Sequence, residues 1–320
     1  MSETEIRDTS TVPEEEAGSK KKRKKKEKVK RPLWREILSW IFTLLGAFAV
    51  AMVIRSVVFE PVRVDGASMN DTLVDREIML VSKYDYSCTW LCLPWQSDNA
   101  SQQAPRIAIG NPNFLDVVIC RYPARGAVNF VKRIVGMPGD TVELREGYLY
   151  VNGEQAEDEK DLISPEYRVS GASDGYSFGP YYVPKKGDTL NVSGSSSALQ
   201  FLINGEEWTR RKTCILAKDE DGKQLKIFNK KAEESLNGRA ELEMAAISWN
   251  GKDWTSENWS EIIPELSAKT FTVDEDYYFV MGDHRNNSND SRSIGAVERT
   301  MIIGHVRRVA FPFRNWRGIR

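Results

Sequence analysis

The hydrophobic pattern changes once along the chain, and sharply. From Ile37 to Ile54 the sequence reads ILSWIFTLLGAFAVAMVI, with no charged residue and no polar stripe at helical spacing. Eighteen residues at ~1.5 Å rise give a helix of ~27 Å, close to the hydrocarbon thickness of a bilayer. Arg35 and Glu36 bound the run on one side and Arg55 on the other, where a long cationic side chain reaches an interface. A cleaved leader would have a shorter apolar core, and a buried core helix would carry a polar face. The run therefore predicts one transmembrane helix, over residues 35–58.

Beyond it the period changes to two. Val62 and Val64 alternate with Arg63 and Asp65. The runs Val117–Tyr122, Phe130–Val135, Thr141–Val151, Tyr277–Met281 and Ile302–Phe311 are rich in β-branched and aromatic residues. Pro138-Gly139-Asp140, Asn152-Gly153 and Gly282-Asp283 punctuate them as turns. Long amphipathic helices are scarce, so the pattern predicts a mainly β protein built on antiparallel strands. Residues 155–270 differ in texture: polar, Ser/Gly-rich in places, with Trp249, Trp254 and Trp259. They read as a second, β-rich subdomain inserted into a β domain made of 59–154 and 271–320.

Composition sharpens the topology. Net charge is −1, which gives no bulk attraction for nucleic acid. That total conceals the run KKKRKKKEKVKR from Lys20 to Arg31, after an acidic stretch at Glu14–Glu16. Residues 1–34 have little to bury and read as a disordered basic tail. A basic cluster directly N-terminal to a span places the tail in the cytoplasm, beside anionic lipid, and everything after residue 60 outside the cell membrane. Cys88, Cys92, Cys120 and Cys214 have no zinc-site spacing. Outside the cell Cys88 and Cys92 could bridge, while Cys120, inside a strand pattern, reads as a small buried thiol. The run Tyr86–Trp95 is too apolar for an ordinary surface loop. Either Trp90, Leu91 and Leu93 fill the core, or a Cys88–Cys92 bridge closes a knuckle whose Trp90 and Trp95 lie in the membrane interface.

Three segments carry candidate chemistry. In Asp65-Gly-Ala-Ser-Met-Asn-Asp-Thr-Leu73, small neighbours leave the Ser68 hydroxyl and amide approachable, although turns share that composition. In Phe130-Val-Lys-Arg-Ile-Val-Gly-Met-Pro-Gly-Asp140, Lys132 sits in an apolar strand pattern. Pointing outward it is an ordinary solvated lysine. Pointing inward it loses its proton readily and can take one from a serine. In Phe279–Gly295 the charges Asp283, Arg285, Asp290 and Arg292 alternate among short polar residues. That suits either a solvated loop or a fixed frame of ion pairs. A Ser-His-Asp triad is poorly supported: His284 and His305 are the only histidines, and His284 directly follows Asp283.

The order of basic tail, one span, Gly-x-Ser-Met, Lys-Arg-Ile-Val-Gly-x-Pro-Gly-Asp and Gly-Asp-x-Arg-x-Asn-Ser-x-Asp-Ser-Arg resembles the bacterial type I signal peptidase family. The motifs cover 60–73, 115–151 and 277–312. The resemblance implies a serine endopeptidase that cleaves signal peptides from exported preproteins after small residues, without cofactor or metal, close to the secretion machinery. It implies Ser68 as nucleophile, Lys132 as general base and Ser288 as the hydroxyl that orients the amine. Asp283, Asp290, Arg292 and Arg133 match positions that brace the site. Val62, Val64, Met69, Leu73, Phe130 and Val131 fall where the family builds its small-residue pockets. Gly66 stands where some members place a serine hydroxyl in the oxyanion hole, which leaves the Ser68 amide for that task. The chain departs from the pattern at Asp71, commonly proline, at His284, commonly asparagine, and at Asn286, commonly aspartate. Ser293-Ile294 replaces an aromatic pair. Two other classes fit the residues: an inactive tethered β domain that binds secreted chains, and a self-cleaving Ser-Lys protease, which would need a DNA-binding domain where this chain has a span.

Overall fold

The computed structural model describes residues 33–89, 106–121, 129–168, 176–195, 198–231, 243–255 and 258–319. The basic run, Trp90, Leu91, Cys92, Leu93 and Trp95 lie outside these residues, and so do Tyr122 and the proposed Cys88–Cys92 bridge. The chain divides between Phe48 and Ala49 into two compact units.

The helix Leu33–Val57 begins four residues before the apolar run and ends three after it. Its window Leu33–Ala51 has mean hydropathy 1.4 and none of it is buried by protein. Leu33, Phe42 and Leu44 are 78%, 68% and 66% exposed. Apolar surface on that scale needs a non-aqueous cover, and 25 residues at ~1.5 Å each reach ~37 Å, enough to cross a bilayer.

The second unit is mainly antiparallel β. One sheet runs in the order Phe59–Arg63, Ile78–Ser82, Ile302–Phe311, Val117–Arg121, Asn129–Gly136, Tyr277–Met281, Val297–Glu298, with Arg317–Gly318 paired beside Ile302–Phe311. Phe59–Arg63 is an edge strand, bonded on one side only. All three motif segments meet in this sheet or at its ends, because Asn129–Gly136 pairs with both Val117–Arg121 and Tyr277–Met281. The central strands are buried on both faces, which is why they read as continuous apolar runs rather than as alternation.

The run Thr141–Val151 is two strands, not one. Thr141–Arg145 and Tyr148–Val151 form a hairpin closed by Glu146 at φ 53° and Gly147 at φ 80°. Two consecutive positive φ values make the tight turn that matches strand twist, and glutamate is an unusual first residue for it. The hairpin belongs to a four-stranded sheet with Glu154–Gln155 and Phe178–Tyr182. A further eight-stranded sheet runs from Glu206–Glu207 through Thr189–Gly194, Phe271–Val273 and Ile215–Lys218 to Lys252–Thr255. One continuous core joins these layers: Val135, Val142, Phe279 and Met281 pack in the same cluster as Leu190, Ile227, Trp249, Trp259 and Phe271. Segment 155–270 thus shares its interior with the motif-bearing strands.

Candidate active site

Side-chain alternation along Asn129–Gly136 sends Lys132 and Arg133 to opposite faces of the sheet. Lys132 lies opposite Val118. On that face Val118, Cys120, Ile134 and Val280 are buried together, with Phe130 packed at the margin. The amine is therefore drawn out of water: Lys132 is 3% exposed, its Nζ lies 5.9 Å from the centre of the Phe130 ring, and burial pushes its pKa below the ordinary 10.5. Cys120, Asp290 and Asp283 pull in the other direction without offsetting burial. Nζ donates to Ser68 Oγ at 2.7 Å and to the Val131 carbonyl at 3.0 Å. Those two contacts fix the amine against the serine hydroxyl.

Ser68 itself sits half-buried in the turn after the edge strand. The turn is tied at several points. Asn70 N–H donates to the Ala67 carbonyl and Leu73 N–H to the Met69 carbonyl. Gly66 N–H donates to Asp75 at 3.0 Å. Among the described residues the Ser68 amide donates to no protein acceptor.

Arg133 points the other way and is fully buried. Nε and Nη2 grip the two Asp283 oxygens at 2.9 and 2.7 Å, Nη1 donates to Leu115 O at 2.8 Å, and Nη2 also reaches Thr72 Oγ1 at 3.0 Å. Thr72 donates in turn to Asp283. One ion pair thus links the lysine strand, the serine turn and the loop after Met281.

The charged residues of that loop form an interior frame, with Asp283 and Asp290 0% exposed and Arg285 2%, while Asn286, Asn287 and Asn289 face solvent. Asp290 accepts from Gly282 N–H at 3.0 Å, from Arg292 Nε and Nη2 at 2.8 Å each, and from the Arg292 amide. Burial alone would raise its carboxyl pKa, but these donors hold it below the usual value. Of the four alternating charges only Asp290 and Arg292 pair with each other. Asp283 takes Arg133, Asp290 takes Arg292, and Arg285 takes Glu159 from the short helix Glu157–Leu162.

Ser288 lies against this frame. Its hydroxyl is buried, faces the Asp290 carboxylate closely enough to help lower it, and meets no partner at hydrogen-bond geometry. A methyl group on Gly282 would stand 2.2 Å from Ser288 Oγ and 2.5 Å from the Ser68 carbonyl oxygen. Only glycine permits the nucleophile turn and the Ser288 loop to approach that closely. His284 completes the contact: its N–H donates to the Ser68 carbonyl at 3.1 Å, and its Nδ1 meets the Ala67 carbonyl at 3.1 Å. His284 therefore grips the turn's backbone.

The six residues expected to line pockets divide by depth. Val64, Met69 and Leu73 are at most 4% exposed and belong to the core under the edge strand. Val62, Phe130 and Val131 are half-buried and reach the surface. Cys120 is a free buried thiol, pushed up to about 11 by burial.

Sequence reasoning did not single out Thr72, Glu159, Ser164, Tyr167 or Arg168. Asp71 accepts from Ser164 N–H and Oγ, His284 packs against Tyr167, and Asn286 donates to the Arg168 carbonyl. Three of the positions where the chain departs from the resembling pattern thus meet one short segment.

A desolvated amine held against a serine hydroxyl is equipped for acyl transfer, and comparison with known proteins points to the same class. Residues 37–311 match the family described as signal peptidase, peptidase S26. The chain is 37% identical over 126 residues to signal peptidase I of Pseudomonas aeruginosa, covering 39% of this chain and 40% of that one. It is 25% identical over 275 residues to signal peptidase I of Buchnera aphidicola subsp. Baizongia pistaciae, covering 85% and 76%. Signal peptidase I S of Bacillus subtilis is 33% identical over 158 residues, covering 47% and 70%. The chain belongs to the signal peptidase, peptidase S26 family.

Proposed function

We propose that the chain is a membrane-anchored serine endopeptidase that removes N-terminal signal peptides from exported preproteins, with Ser68 as nucleophile and Lys132 as general base. The observation that carries this reading is the 2.7 Å contact between Ser68 Oγ and an amine whose burial lowers its pKa. A neutral amine has a lone pair for the Ser68 proton. As Oγ bonds to the scissile carbonyl carbon, the Ser68 amide, which has no acceptor among the described residues, donates to the developing oxyanion. The C–N bond then breaks, and the protonated Lys132 returns its proton to the departing amine. Water, deprotonated by the same lysine, releases the acyl group. Ser288, whose buried hydroxyl lies against Gly282 where that residue abuts the Ser68 carbonyl, is assigned to steadying that amine.

The open edge Phe59–Arg63 suits an extended substrate that adds as a further strand, gaining backbone hydrogen bonds. Val62 and Val131, floored by Val64, Met69 and Leu73, and Phe130, which borders the Lys132 amine on the other face of its strand, are assigned to shallow apolar pockets that suit alanine and exclude larger side chains, an Ala-x-Ala preference. The helix Leu33–Val57 anchors the protein with the basic tail in the cytoplasm and the β unit outside, where a signal peptide emerges.

The test is direct. Purified full-length protein in detergent, mixed with a preprotein, should yield a product whose new N-terminus follows a small residue. Ser68→Ala and Lys132→Ala should each abolish that product while the β unit stays folded by circular dichroism. Retained turnover in either variant would rule out the pair.

A further inference from the structure

The stretch Glu159–Arg168 reaches both loops of the site from outside the three motifs. It comprises the end of the short helix Glu157–Leu162 and the turn Pro165–Tyr167. Asp71, three residues after Ser68, stands at φ 89°, a backbone conformation that costs every residue with a side chain and that aspartate and asparagine bear better than most. Its carboxylate accepts from Ser164 N–H at 2.6 Å and from Ser164 Oγ at 2.9 Å, so the strained backbone ends in a two-point tether. On the other loop, the Tyr167 ring meets His284 edge-on at 5.0 Å. His284 in turn holds the Ala67 and Ser68 carbonyls; the ring nitrogen that faces Ala67 carries its proton, since a carbonyl can only accept. Asn286 Nδ2 donates to the Arg168 carbonyl at 3.0 Å. Behind these contacts Glu159, 0% exposed, takes Arg285 on one oxygen and Arg168 on the other. Arg285 Nε donates to the Gly282 carbonyl at 3.0 Å, which returns the chain of contacts to the glycine between Ser68 and Ser288.

We propose that Glu159–Arg168 is a positioning latch for the acyl-transfer site. It clamps the Ser68 turn through Asp71 and the Ser288 loop through His284, Asn286 and Arg285, so that the two loops keep one spacing while substrate is bound and released. The role rests on the Ser68–Lys132 reading. The outer contacts of the latch are solvent-exposed, where hydrogen-bonded and ion-paired groups add little to global stability. A strained φ retained by an exposed tether is therefore better explained by geometry at the site than by folding.

That difference makes the proposal testable in full-length protein in detergent, with a peptide containing an Ala-x-Ala site as substrate. Asp71→Gly relieves the positive φ and removes the tether together. It should melt at or above the wild-type temperature, yet lose roughly tenfold or more in kcat, with KM within about threefold. Tyr167→Ala should show the same split. Asp71→Asn, which keeps one acceptor oxygen and tolerates the conformation, and Tyr167→Phe, which keeps the ring contact, should recover most of kcat. Wild-type kcat in both Asp71→Gly and Tyr167→Ala would overturn the latch. So would losses that track a lower melting temperature and are not rescued by the conservative variants. If the wild type failed to cleave the peptide and matched Ser68→Ala, the Ser68–Lys132 reading would fall and the latch with it.

Discussion

Removing the Asp283 carboxylate should expose how much the fold depends on one ion pair. Arg133 and Asp283 are both 0% exposed, so no solvent screens the guanidinium left behind by Asp283→Ala. Three hydrogen bonds to the carboxylate disappear, the two ionic ones from Arg133 Nε and Nη2 and the one from the Thr72 hydroxyl, while Leu115 O and Thr72 Oγ1 remain as partners of Arg133; the two ionic ones set the lower bound of the loss. At ~1.5–3 kcal/mol each, the two ionic bonds sum to ~3–6 kcal/mol. That range overlaps the ~3–5 kcal/mol expected when a buried pair loses one member. For a domain stable by ~5–15 kcal/mol this is a large fraction, and Tm should fall by ~6–20 °C. Urea unfolding of the full-length protein, followed by tryptophan fluorescence, measures the loss directly. Arg133→Met combined with Asp283→Leu should be far less destabilised than the sum of its singles, because two apolar side chains of similar bulk leave no orphaned charge. The reasoning would be refuted if Asp283→Ala unfolded within ~1 kcal/mol of wild type, or if the double variant simply added the two single losses.

Lys132 makes two linked predictions. Turnover should rise with pH through an apparent pKa below 10.5, and a rate that instead followed a group near 6.5 and vanished in His284→Ala would identify a histidine base. Between the lowered amine pKa and 10.5 the unfolded chain holds more protons than the folded one, so stability rises with pH across that window. Lys132→Met should therefore be more stable than wild type at pH 7, by a margin that shrinks above pH 10.5, as urea titrations at the two pH values would reveal. Gly282→Ala should lose roughly 10²-fold in kcat, because its methyl cannot fit 2.5 Å from the Ser68 carbonyl without moving the nucleophile, and a near-normal kcat would contradict that packing. Ser288→Ala should lower kcat more than KM by a similar factor if the hydroxyl steadies the amine, and a full-rate variant would leave the loop purely structural. Protease added to the outer face of intact cells should digest beyond residue 60 and spare residues 1–34, and the opposite pattern would reverse the orientation.

The sequence by itself determined the elements whose signal is local. An uninterrupted apolar run has to become a spanning-length helix, because nothing else satisfies its backbone away from water. Doubly buried strands have to be apolar throughout, so Val117–Arg121 and Tyr277–Met281 were legible from their side chains alone. Ser68, Lys132 and Ser288 could be named because their short motifs stand in a telling order. The turn at Glu146-Gly147 was hidden, since glutamate carries no turn signal and only the pairing of Val142 with Val151 requires a positive φ there. What tertiary structure alone decided is which charge meets which. Asp283, Arg285, Asp290 and Arg292 lie close together in the chain and look like partners. Two of them pair instead with Arg133 and Glu159, which are 150 and 126 residues away. Nothing local marks Glu159 among its acidic neighbours on a short helix. Its importance comes from burial, because a carboxylate cut off from water must find a cation, and only the folded chain determines which one is within reach.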